Sequence, residues 1–376
     1  MTPANRQILI TGANGFIGKN LTVRLGELPG YSVVKFVRGD AVDRLPTLVA
    51  QADAVVHLAG ENRPTDERAF AEVNTNLTIA LCDALQQHVA LTGRRVPLVL
   101  ASSTQAEQNN PYGRSKEAAE QAVQLLAEAT GNPCVVFRLP GVFGKWCRPN
   151  YNSVVATFCH NVARGLPIRI NDPTATLRLV YVDDVVSALI AALDAPNGLS
   201  QGIVSPDYRV TLGDLAQQIQ AFGNCRETLL GERVGAGLGR ALYATYVSYL
   251  PNDRFSYDVP HYTDPRGVFV EMLKTPDSGQ FSYFTAHPGV TRGGHYHHTK
   301  TEKFLVVKGR ALFRFRHLLT DELVELYTSG AKPEIVDTIP GWAHDITNVG
   351  DDEMVVMLWA NENFDRHNPD TIASRV

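Results

Sequence analysis

Two side chains that could move a proton, Tyr112 and Lys116, are four residues apart in the segment Tyr-Gly-Arg-Ser-Lys. On a helix this spacing puts both side chains on one face, and an ammonium beside a phenol is expected to lower the pKa of the phenol. Just upstream, the hydroxyl residues Ser102-Ser103-Thr104 follow the apolar run Leu98–Ala101, where a predicted strand ends. A hydroxyl at that point could polarise a carbonyl group. The set therefore predicts protonation of a carbonyl oxygen near neutral pH.

A second group of residues that could do chemistry lies in the last quarter of the chain. His295 and His297 are two residues apart, so on a strand they project to the same face. The spacing of Glu302 and His344 from these histidines resembles that of the cupin motifs. This resemblance implies that the two residues arrive from neighbouring strands and complete a set of three imidazoles and one carboxylate. Such a set suits zinc, iron, manganese or nickel, and ligand softness does not choose among them. We predict one divalent metal ion at these four residues, with zinc as the first candidate.

A glycine-rich turn near the start of the chain predicts where a cofactor binds. The segment Thr11–Gly18 follows the apolar run Ile8–Ile10 and opens a stretch whose apolar residues recur at helical spacing. Strand, glycine turn and helix in this order form the context of a dinucleotide fingerprint, in which phosphates lie on unpaired N–H groups at the helix N-terminus. The spacing here is G-x-x-G-x-x-G. The residues predicted to contact the cofactor in this turn are Gly12, Asn14, Gly15, Phe16, Ile17 and Gly18.

Arg38 follows the second predicted strand, Ser32–Val37, at the place where dinucleotide folds meet the adenosine ribose. An arginine there accommodates a 2′-phosphate, whereas an acidic residue bonds a 2′-hydroxyl. Arg38 therefore favours NADP, and the nearby Asp40 leaves NAD open. Because Tyr112 and Lys116 come downstream of this fingerprint, we predict that NADP(H) exchanges hydride with the carbonyl carbon while the phenol protonates the oxygen.

The elements that must position these residues follow from the apolar pattern. Continuous apolar runs such as Ala54–Gly60 and Cys134–Leu139 alternate with helical patterns, as buried parallel strands do. This predicts an α/β Rossmann-type doubly wound parallel sheet with a substrate lobe, over residues 1–245. Helical patterns then vanish, and short apolar runs between Gly, Pro and Asp predict an all-β barrel or jelly roll over residues 255–376.

Composition and charge exclude several classes of function. The chain has 376 residues and a net charge of −4, with no Lys/Arg run, so we expect no nucleic-acid partner. No apolar run reaches the ~18 residues of a membrane span and no signal-peptide pattern opens the chain, so we expect no membrane partner. The five cysteines are scattered and never form a C-x-x-C pair, which favours reduced thiols. We therefore expect a cytoplasmic protein.

Residues 1 to about 240 resemble the extended short-chain dehydrogenase/reductase family, which includes nucleotide-sugar epimerases and dehydratases. The family's glycine turn matches the turn described above, its third-strand motif matches His57-Leu58-Ala59-Gly60, and its catalytic pair matches Tyr112 and Lys116. This resemblance implies that Leu58, Ala59 and Gly60 also contact the cofactor, as do Tyr112 and Lys116.

The same resemblance implies roles for three further residues. Thr104 occupies the family's catalytic Ser/Thr position, with Ser103 as the alternative. Arg178, which precedes the Val-Asp-Asp segment, corresponds to the arginine that holds the substrate diphosphate. A planar guanidinium suits a phosphate because it donates two parallel hydrogen bonds.

The C-terminal half resembles the cupin family. The spacing of its two motifs is matched by Gly289, by the four residues named above as metal ligands and by Gly309. One departure is Pro340, which lies directly before Gly341, whereas the motif has its proline two residues before the glycine. This resemblance implies a cupin barrel around the metal site.

A second resemblance in this half changes the role of His295. Asp264–Glu271 and Arg292–Tyr296 resemble the dTDP-4-dehydrorhamnose 3,5-epimerase family, whose cupins lack a catalytic metal and use a histidine base beside a ketone. This resemblance implies that His295 removes a proton and that Arg266, His298 and Lys303 are neighbours available for proton transfer or phosphate contact. His295 as ligand, as base, or as both therefore stays open.

The fusion of these two halves resembles a family of bifunctional capsular-polysaccharide enzymes over essentially the whole chain. That resemblance implies C3 epimerisation of a UDP-4-keto-6-deoxy-HexNAc in the cupin, then NADPH-dependent reduction at C4. The product would be UDP-2-acetamido-2,6-dideoxy-L-talose, a precursor of UDP-L-FucNAc, and the enzyme would be a homodimer. Two other classes stay open: a nucleotide-sugar reductase or dehydratase whose cupin only dimerises, and an NADP-sensing protein without turnover.

Overall fold

The computed structural model describes residues 5–195, 198–367 and 369–376. The chain divides into two compact units. We call them the N-terminal unit, Met1–Ile219 with Ala241–Leu250, and the C-terminal unit, Gln220–Arg240 with Pro251–Val376.

The division differs from the predicted boundary between residues 245 and 255, because residues 220–240 group with the C-terminal unit. The reason is backbone pairing that the sequence pattern does not display. The Gly231 N–H donates to the Lys274 carbonyl at 2.8 Å, and the Lys274 N–H donates to the Leu229 carbonyl at 2.7 Å.

The N-terminal unit is built on a six-stranded parallel sheet with helices on both faces. Its strands are β1 (Arg6–Thr11), β2 (Tyr31–Phe36), β3 (Ala54–His57), β4 (Leu98–Ser103), β5 (Cys134–Leu139), β6 (Gly141–Phe143), β7 (Thr176–Tyr181), β8 (Leu199–Gly202) and β9 (Asp207–Thr211). Its helices are α1 (Phe16–Glu27), α2 (Leu45–Gln51), α3 (Leu77–Thr92), α4 (Pro111–Thr130), α5 (Val154–Val162) and α6 (Val182–Ala191), with a π-helical turn at Phe70–Asn76 before α3. Two later helices are α7 (Leu212–Thr228) and α8 (Gly237–Val247).

The strand order in the large sheet is β2-β1-β3-β4-β5-β8, and all of its pairs are parallel. From β1 the chain adds β2 on one side and β3 on the other, so the strand order reverses there. A crevice opens at the carboxyl ends of the strands at such a reversal. β6, β7 and β9 form a separate three-stranded sheet.

The core of this unit explains why its strands are continuously apolar. Neighbouring residues of a strand face opposite sides of the sheet. Leu9 and Val55 pack against α2, α3 and α4 on one side, whereas Ile10 and Val56 pack against α1 and α6 on the other. Helices on both sides leave no face for polar side chains. The predicted Rossmann-type parallel sheet is confirmed.

The C-terminal unit contains two antiparallel sheets. Its strands are β10 (His261–Asp264), β11 (Gly267–Lys274), β12 (Gln280–Ala286), β13 (Thr291–Tyr296), β14 (Glu302–Lys308), β15 (Arg310–His317), β16 (Leu323–Ser329), β17 (Ile335–Asp337), β18 (Trp342–Asn348), β19 (Met354–Ala360) and β20 (Ile372–Ala373). The sheets have the orders β10-β11-β12-β19-β14-β17 and β16-β15-β18-β13-β20.

The two sheets of the C-terminal unit share one apolar core. Phe284, Phe304 and Val356 from the six-stranded sheet pack with Phe313 and Ile346 from the five-stranded sheet. Strands are the regular elements of the described residues after 255, so the predicted all-β composition is confirmed. Among the described residues the two sheets share no strand, and the predicted closed barrel is not seen. In the described ranges, none of the helices is long and apolar enough to cross a membrane.

Candidate functional sites

The glycine-rich turn between β1 and α1 brings backbone very close to backbone. Gly12 has a φ of +68°, and a Cβ added there would lie 2.6 Å from the Ala59 nitrogen. A Cβ added at Gly18 would lie 2.3 Å from the Gly12 carbonyl oxygen. Both distances are too short for any side chain. Gly15 caps α1 without a side-chain hydrogen bond, so the turn leaves a cradle of backbone groups at the helix N-terminus.

A cavity of 1530 Å³ opens beside this turn, at the carboxyl ends of β1 to β5. It exceeds the ~300–1,000 Å³ of a typical small-molecule site, so it has room for a dinucleotide together with a second ligand. The sequence-predicted residues of this unit all line it: Gly12, Asn14, Gly15, Phe16, Ile17, Gly18, Arg38, Leu58, Ala59, Gly60, Thr104, Tyr112, Lys116 and Arg178.

Tyr112 and Lys116 both lie on α4, where their spacing points them into the cavity. Asn110 caps this helix, because its side chain accepts a hydrogen bond from the Gly113 N–H at 2.8 Å. Lys116 is 7% exposed, and its Nζ donates to the Ala101 carbonyl at 3.2 Å. Burial lowers the pKa of Lys116 to about 8, against the opposing effect of the Glu120 charge.

The electrostatics of Tyr112 differ from the expectation. Burial raises the pKa of Tyr112, and a hydrogen bond with Ser103 lowers it only in part. Lys116 is not among the groups that shift the pKa of Tyr112, so the predicted lowering by its ammonium is not seen. The phenol is accordingly held in its protonated form at neutral pH, ready to donate.

The hydroxyl triplet separates in three directions at the end of β4. Ser102 donates to the Glu120 carboxylate at 2.5 Å, away from the phenol. Ser103 meets Tyr112, while Thr104 begins a 3₁₀ turn and lines the cavity nearby. The structure thus brings the alternative, Ser103, beside Tyr112, while Thr104 stays a candidate that lines the same cavity.

A buried hydrogen-bond chain that the sequence analysis did not assign supports the same cavity wall. Thr11 Oγ1 and His57 Nδ1 are 2.6 Å apart, and His57 Nε2 and Thr78 Oγ1 are 2.8 Å apart. The Thr78 hydroxyl donates to the Asn74 carbonyl at 2.7 Å, so His57 must donate through Nε2 and accept at Nδ1. Burial, followed by the charge of Lys116, lowers the pKa of His57 to about 3, and the ring is neutral.

Asn74 is also a residue that sequence reasoning missed. Its side chain accepts from the Glu61 N–H at 2.8 Å and donates to the Glu61 carbonyl at 3.1 Å and to Ser115 Oγ at 3.0 Å. It thereby ties the segment after β3 to the helix that carries Tyr112 and Lys116. The sequence pattern does not predict this role, because a single asparagine within a helical pattern is typical of a surface residue.

Arg38 is largely exposed at the cavity and binds the Glu61 carboxylate. Tyr151 donates to the other oxygen of Glu61 at 2.9 Å. Asp40 accepts the Val37 N–H at 2.7 Å and also binds Arg44, so its carboxylate closes a turn. The guanidinium of Arg38 therefore faces the cavity with one acidic partner, while Asp40 is engaged elsewhere.

Arg178 lies on β7 and pairs with Asp207 of the neighbouring β9. The two groups, Arg178 Nε and Asp207 Oδ2, are 2.5 Å apart. About half of the arginine side chain is exposed and it lines the cavity, which leaves its terminal nitrogens accessible to an anion.

In the C-terminal unit the four predicted metal ligands come together. One ligand atom from each of His295, His297, Glu302 and His344 lies within 4.8 Å of the others. His297, Glu302 and His344 are buried, whereas His295 is partly exposed. His295 of β13 and His297, which directly follows that strand, meet His344 of the paired strand β18. Glu302 begins β14 of the other sheet, so it does not come from a strand that adjoins β13 or β18.

One histidine of this cluster lacks the partners that buried polar groups ordinarily have. Among the described residues, both ring nitrogens of His344 are buried without a hydrogen bond, and its Nε2 lies 3.6 Å from Glu302 Oε2. His297 Nδ1 is bonded to the Asp370 carbonyl, which can only accept, so a neutral His297 turns a lone pair towards Glu302 Oε2, 3.2 Å from its Nε2. A cation bound between these groups would accept a lone pair from His297 Nε2 and one from His344, and it would offset the charge of the Glu302 carboxylate. The cluster thus fits a divalent metal ion by geometry and by donor type.

Charges around the cluster hold it in the form that binds a metal. Burial, with the charge of His344 next, lowers the pKa of His295 to about 4, so this ring is neutral at pH 7. Burial would raise the pKa of Glu302, but the neighbouring rings of His297 and His344 and the charge of Lys300 bring it below its usual range. Metal ligands must be deprotonated, and both shifts favour that state.

The other residues named for this unit are placed outside the cluster. Arg266 binds Asp264 through Nη2 at 2.6 Å, and its side chain is about half exposed. Lys303 pairs with Asp337 at 2.6 Å, and His298 is exposed. Within the described part of the chain, the cluster of possible metal ligands includes none of these three residues.

Comparison with known proteins shows which family the chain belongs to. Residues 8–205 match the NAD dependent epimerase/dehydratase family, and residues 262–372 match the family of polysaccharide biosynthesis C-terminal domains. The chain belongs to the NAD dependent epimerase/dehydratase family. UDP-2-acetamido-2,6-beta-L-arabino-hexul-4-ose reductase of Pseudomonas aeruginosa strain PA103 is 57% identical over 373 residues, which are 98% of this chain and 99% of that protein.

Solved structures resemble the chain at two levels. The crystal structure of the capsular polysaccharide assembling protein CapF from Staphylococcus aureus has a TM-score of 0.88 and 41% identity, covering 98% of this chain and 100% of CapF. The Bordetella bronchiseptica enzyme WbmF, crystallised with NAD+, has a TM-score of 0.55 and 21% identity over 66% of this chain and 93% of WbmF, so it shares the fold.

Proposed function

We propose that this member of the NAD dependent epimerase/dehydratase family is a two-step nucleotide-sugar enzyme. Its C-terminal unit epimerises C3 of a UDP-4-keto-6-deoxy-HexNAc, and its N-terminal unit reduces the C4 ketone with NADPH. The product is UDP-2-acetamido-2,6-dideoxy-L-talose, destined for UDP-L-FucNAc and surface polysaccharide. One observation carries the proposal: Tyr112, Lys116 and Ser103 meet at one cavity, in a chain 57% identical to a protein named as a reductase of a UDP-linked hexul-4-ose.

The glycine turn and its cavity fit a dinucleotide. The cradle that a Cβ would fill at Gly12 and Gly18 suits a pyrophosphate, with Gly15 at the helix N-terminus and Leu58, Ala59 and Gly60 lining the opposite wall. Arg38 is the residue assigned to the 2′-phosphate of NADP(H). NADPH, when bound, supplies the hydride for the reaction.

The residues of the N-terminal unit handle the proton of the reduction. Tyr112 donates its phenolic proton to the C4 oxygen as that oxygen gains negative charge, which balances the hydride received at C4. Ser103 orients the phenol through its hydrogen bond. Lys116, which is charged below a pKa of about 8, places a positive charge near the phenolate that remains. Arg178 is assigned to the diphosphate of the substrate.

The C-terminal unit is assigned the proton transfer at C3. The C4 ketone acidifies the C3 hydrogen, so a base removes it, the electron pair passes onto the C4 oxygen, and a proton returns to C3 from the other face. The step needs no oxidant, and it has to precede reduction because the alcohol does not acidify C3. His295, as the partly exposed member of its cluster, is assigned as this base in the state in which it does not ligate the metal. Arg266 is assigned to the phosphates of the substrate.

His295, His297, Glu302 and His344 are assigned as ligands of one divalent ion, with zinc as the first candidate. The two buried, unpartnered nitrogens of His344 support this assignment. A bound zinc ion would act as a Lewis acid and as a structural link between strands. The five unpaired cysteines support a reducing, cytoplasmic setting, and the enzyme is proposed to act as a homodimer.

The test separates the two chemistries. The purified protein is incubated in deuterated water with UDP-4-keto-6-deoxy-HexNAc and NADPH, while absorbance follows NADPH and mass spectrometry follows deuterium in the sugar. Wild type is expected to oxidise NADPH and to exchange the C3 hydrogen. Tyr112→Phe should lose NADPH oxidation by at least ~10²-fold and keep exchange, because only the proton donor is removed.

His344→Ala gives the complementary result. It should lose bound metal and C3 exchange, while the reductase cavity is unchanged. Persistent exchange in this variant would instead favour a C-terminal unit that only dimerises. Absence of NADPH oxidation by the wild type with this substrate would reject the reductase assignment.

A further inference from the structure

The last described segment of the chain, residues 369–376, pairs with the strand that contains His295 and directly precedes His297. Its strand β20 pairs antiparallel with β13, with Ala373 opposite His295. The Ser374 N–H donates to the Gly294 carbonyl at 2.9 Å. Asp370 lies two residues before β20, and its carboxylate and its carbonyl both accept hydrogen bonds from the region around His297.

The carboxylate of Asp370 accepts hydrogen bonds from three consecutive backbone N–H groups. His298 donates at 2.9 Å, Thr299 at 2.7 Å and Lys300 at 2.8 Å, and the Thr299 hydroxyl adds a bond of 3.1 Å. Successive N–H groups that converge on one anion form a nest. These residues are the loop between His297 and Glu302, so one carboxylate holds the connection between two proposed ligands. The backbone bonds also keep the pKa of Asp370 well below its usual range.

The backbone of the same residue contacts a ligand directly. The Asp370 carbonyl accepts a hydrogen bond from His297 Nδ1. That bond fixes the proton on Nδ1 and leaves the lone pair of Nε2 facing Glu302. The side chain and the carbonyl thus act together: the carboxylate anchors Asp370 to the loop, and the anchored carbonyl sets the tautomer and the plane of the ring.

We infer that Asp370 is a positioning residue for the metal centre, acting through His297. The inference rests on the metal site of the proposed function. His344 offers a contrast, because neither of its ring nitrogens has a hydrogen-bond partner among the described residues. Outer partners of ligating histidines typically contribute 10–100-fold to metal affinity. Asp370 has the corresponding position for His297, although it lies more than seventy residues away in the chain.

The experiment measures zinc affinity on the full-length protein by competition with a chromophoric chelator. Asp370→Ala is expected to weaken zinc binding about 10–100-fold, because the carbonyl is no longer held at His297. Asp370→Asn keeps one acceptor oxygen and should lie between this variant and the wild type. The matched control is Asp365→Ala, which removes an exposed carboxylate from the stretch just before this segment. That carboxylate accepts a hydrogen bond from the His367 N–H at 2.8 Å. It should bind zinc as the wild type does.

Two further measurements separate positioning from a general loss of fold. Circular dichroism must show the zinc-free Asp370→Ala protein folded at the assay temperature. Nitrogen-15 spectra of the zinc-free protein should show His297 as the Nδ1–H tautomer in the wild type and as a tautomer mixture in Asp370→Ala. Cobalt absorption then compares the coordination geometry of the loaded proteins.

The results distinguish an error in the role of Asp370 from an error in the proposed metal site. If Asp370→Ala binds zinc with wild-type affinity and gives the wild-type cobalt spectrum, the positioning role is wrong while the metal site stands. If the wild type itself binds neither zinc nor cobalt, the metal site of the proposed function is wrong and the role of Asp370 falls with it.

Discussion

Lys116→Met should make the N-terminal unit more stable at pH 7 while it abolishes NADPH oxidation. Lys116 is 7% exposed, and burial lowers its pKa from the ordinary 10.5 to about 8. Methionine has a similar length and brings no charge into the same space. The variant therefore removes the charge whose burial is unfavourable.

The magnitude follows from the shift in pKa. At ~1.4 kcal/mol for each factor of ten, a change from 10.5 to about 8 corresponds to about 3 kcal/mol of unfolding free energy. Loss of the bond to the Ala101 carbonyl offsets about 1–2 kcal/mol of this gain. We expect Lys116→Met to be more stable than the wild type by about 1–2 kcal/mol at pH 7.

The dependence on pH has a definite sign. Below pH 8 the lysine is charged in both the folded and the unfolded chain, so the folded wild type carries the full cost. Between pH 8 and 10.5 the folded protein releases the proton while the unfolded chain keeps it, and wild-type stability rises. Above 10.5 the lysine is neutral in both states. The advantage of the variant should therefore fall by about 3 kcal/mol from pH 7 to pH 10.5 and reverse its sign.

Urea titration of both proteins, read by hydrogen exchange of peptides from β4 and α4, measures this unit without interference from the other. Taking the difference between variant and wild type removes the titration of tyrosines and cysteines that both share. A difference in unfolding free energy that stays the same from pH 7 to pH 10.5 would refute the reasoning, because it would show that Lys116 is not a buried ammonium.

Three further variants test the site. Ser103→Ala should lower the rate of NADPH oxidation about 10²-fold while Thr104→Ala changes it less than tenfold, since Ser103 holds the phenol; the opposite ranking in steady-state kinetics would restore Thr104 to that role. Arg38→Ala should raise the KM for NADPH about tenfold and leave the KM for NADH nearly unchanged, because only NADPH has the 2′-phosphate. Equal changes for both cofactors would count against this assignment.

Short-range patterns in the sequence were enough to predict much of the architecture. The apolar runs and glycine spacing predicted the parallel sheet and its first turn, because strand and helix periodicity and the steric needs of Gly12 act within a few residues. Tyr112 and Lys116 were found in the same way, since a spacing of four on one helix suffices to bring them together. The antiparallel strands of the C-terminal unit were likewise visible as short apolar runs.

Only the tertiary structure decided which distant groups meet. The pairing of Ser103 with Tyr112 depends on how β4 ends against α4, and the pairing of Arg38 with Glu61 depends on two separate loops. Asp370 is a stronger case, because an aspartate near the end of a chain has no pattern that points to residues 297–300. Periodicity determines which face of an element a residue occupies. The partner opposite that face depends on how distant elements pack and pair, and no local pattern contains that information.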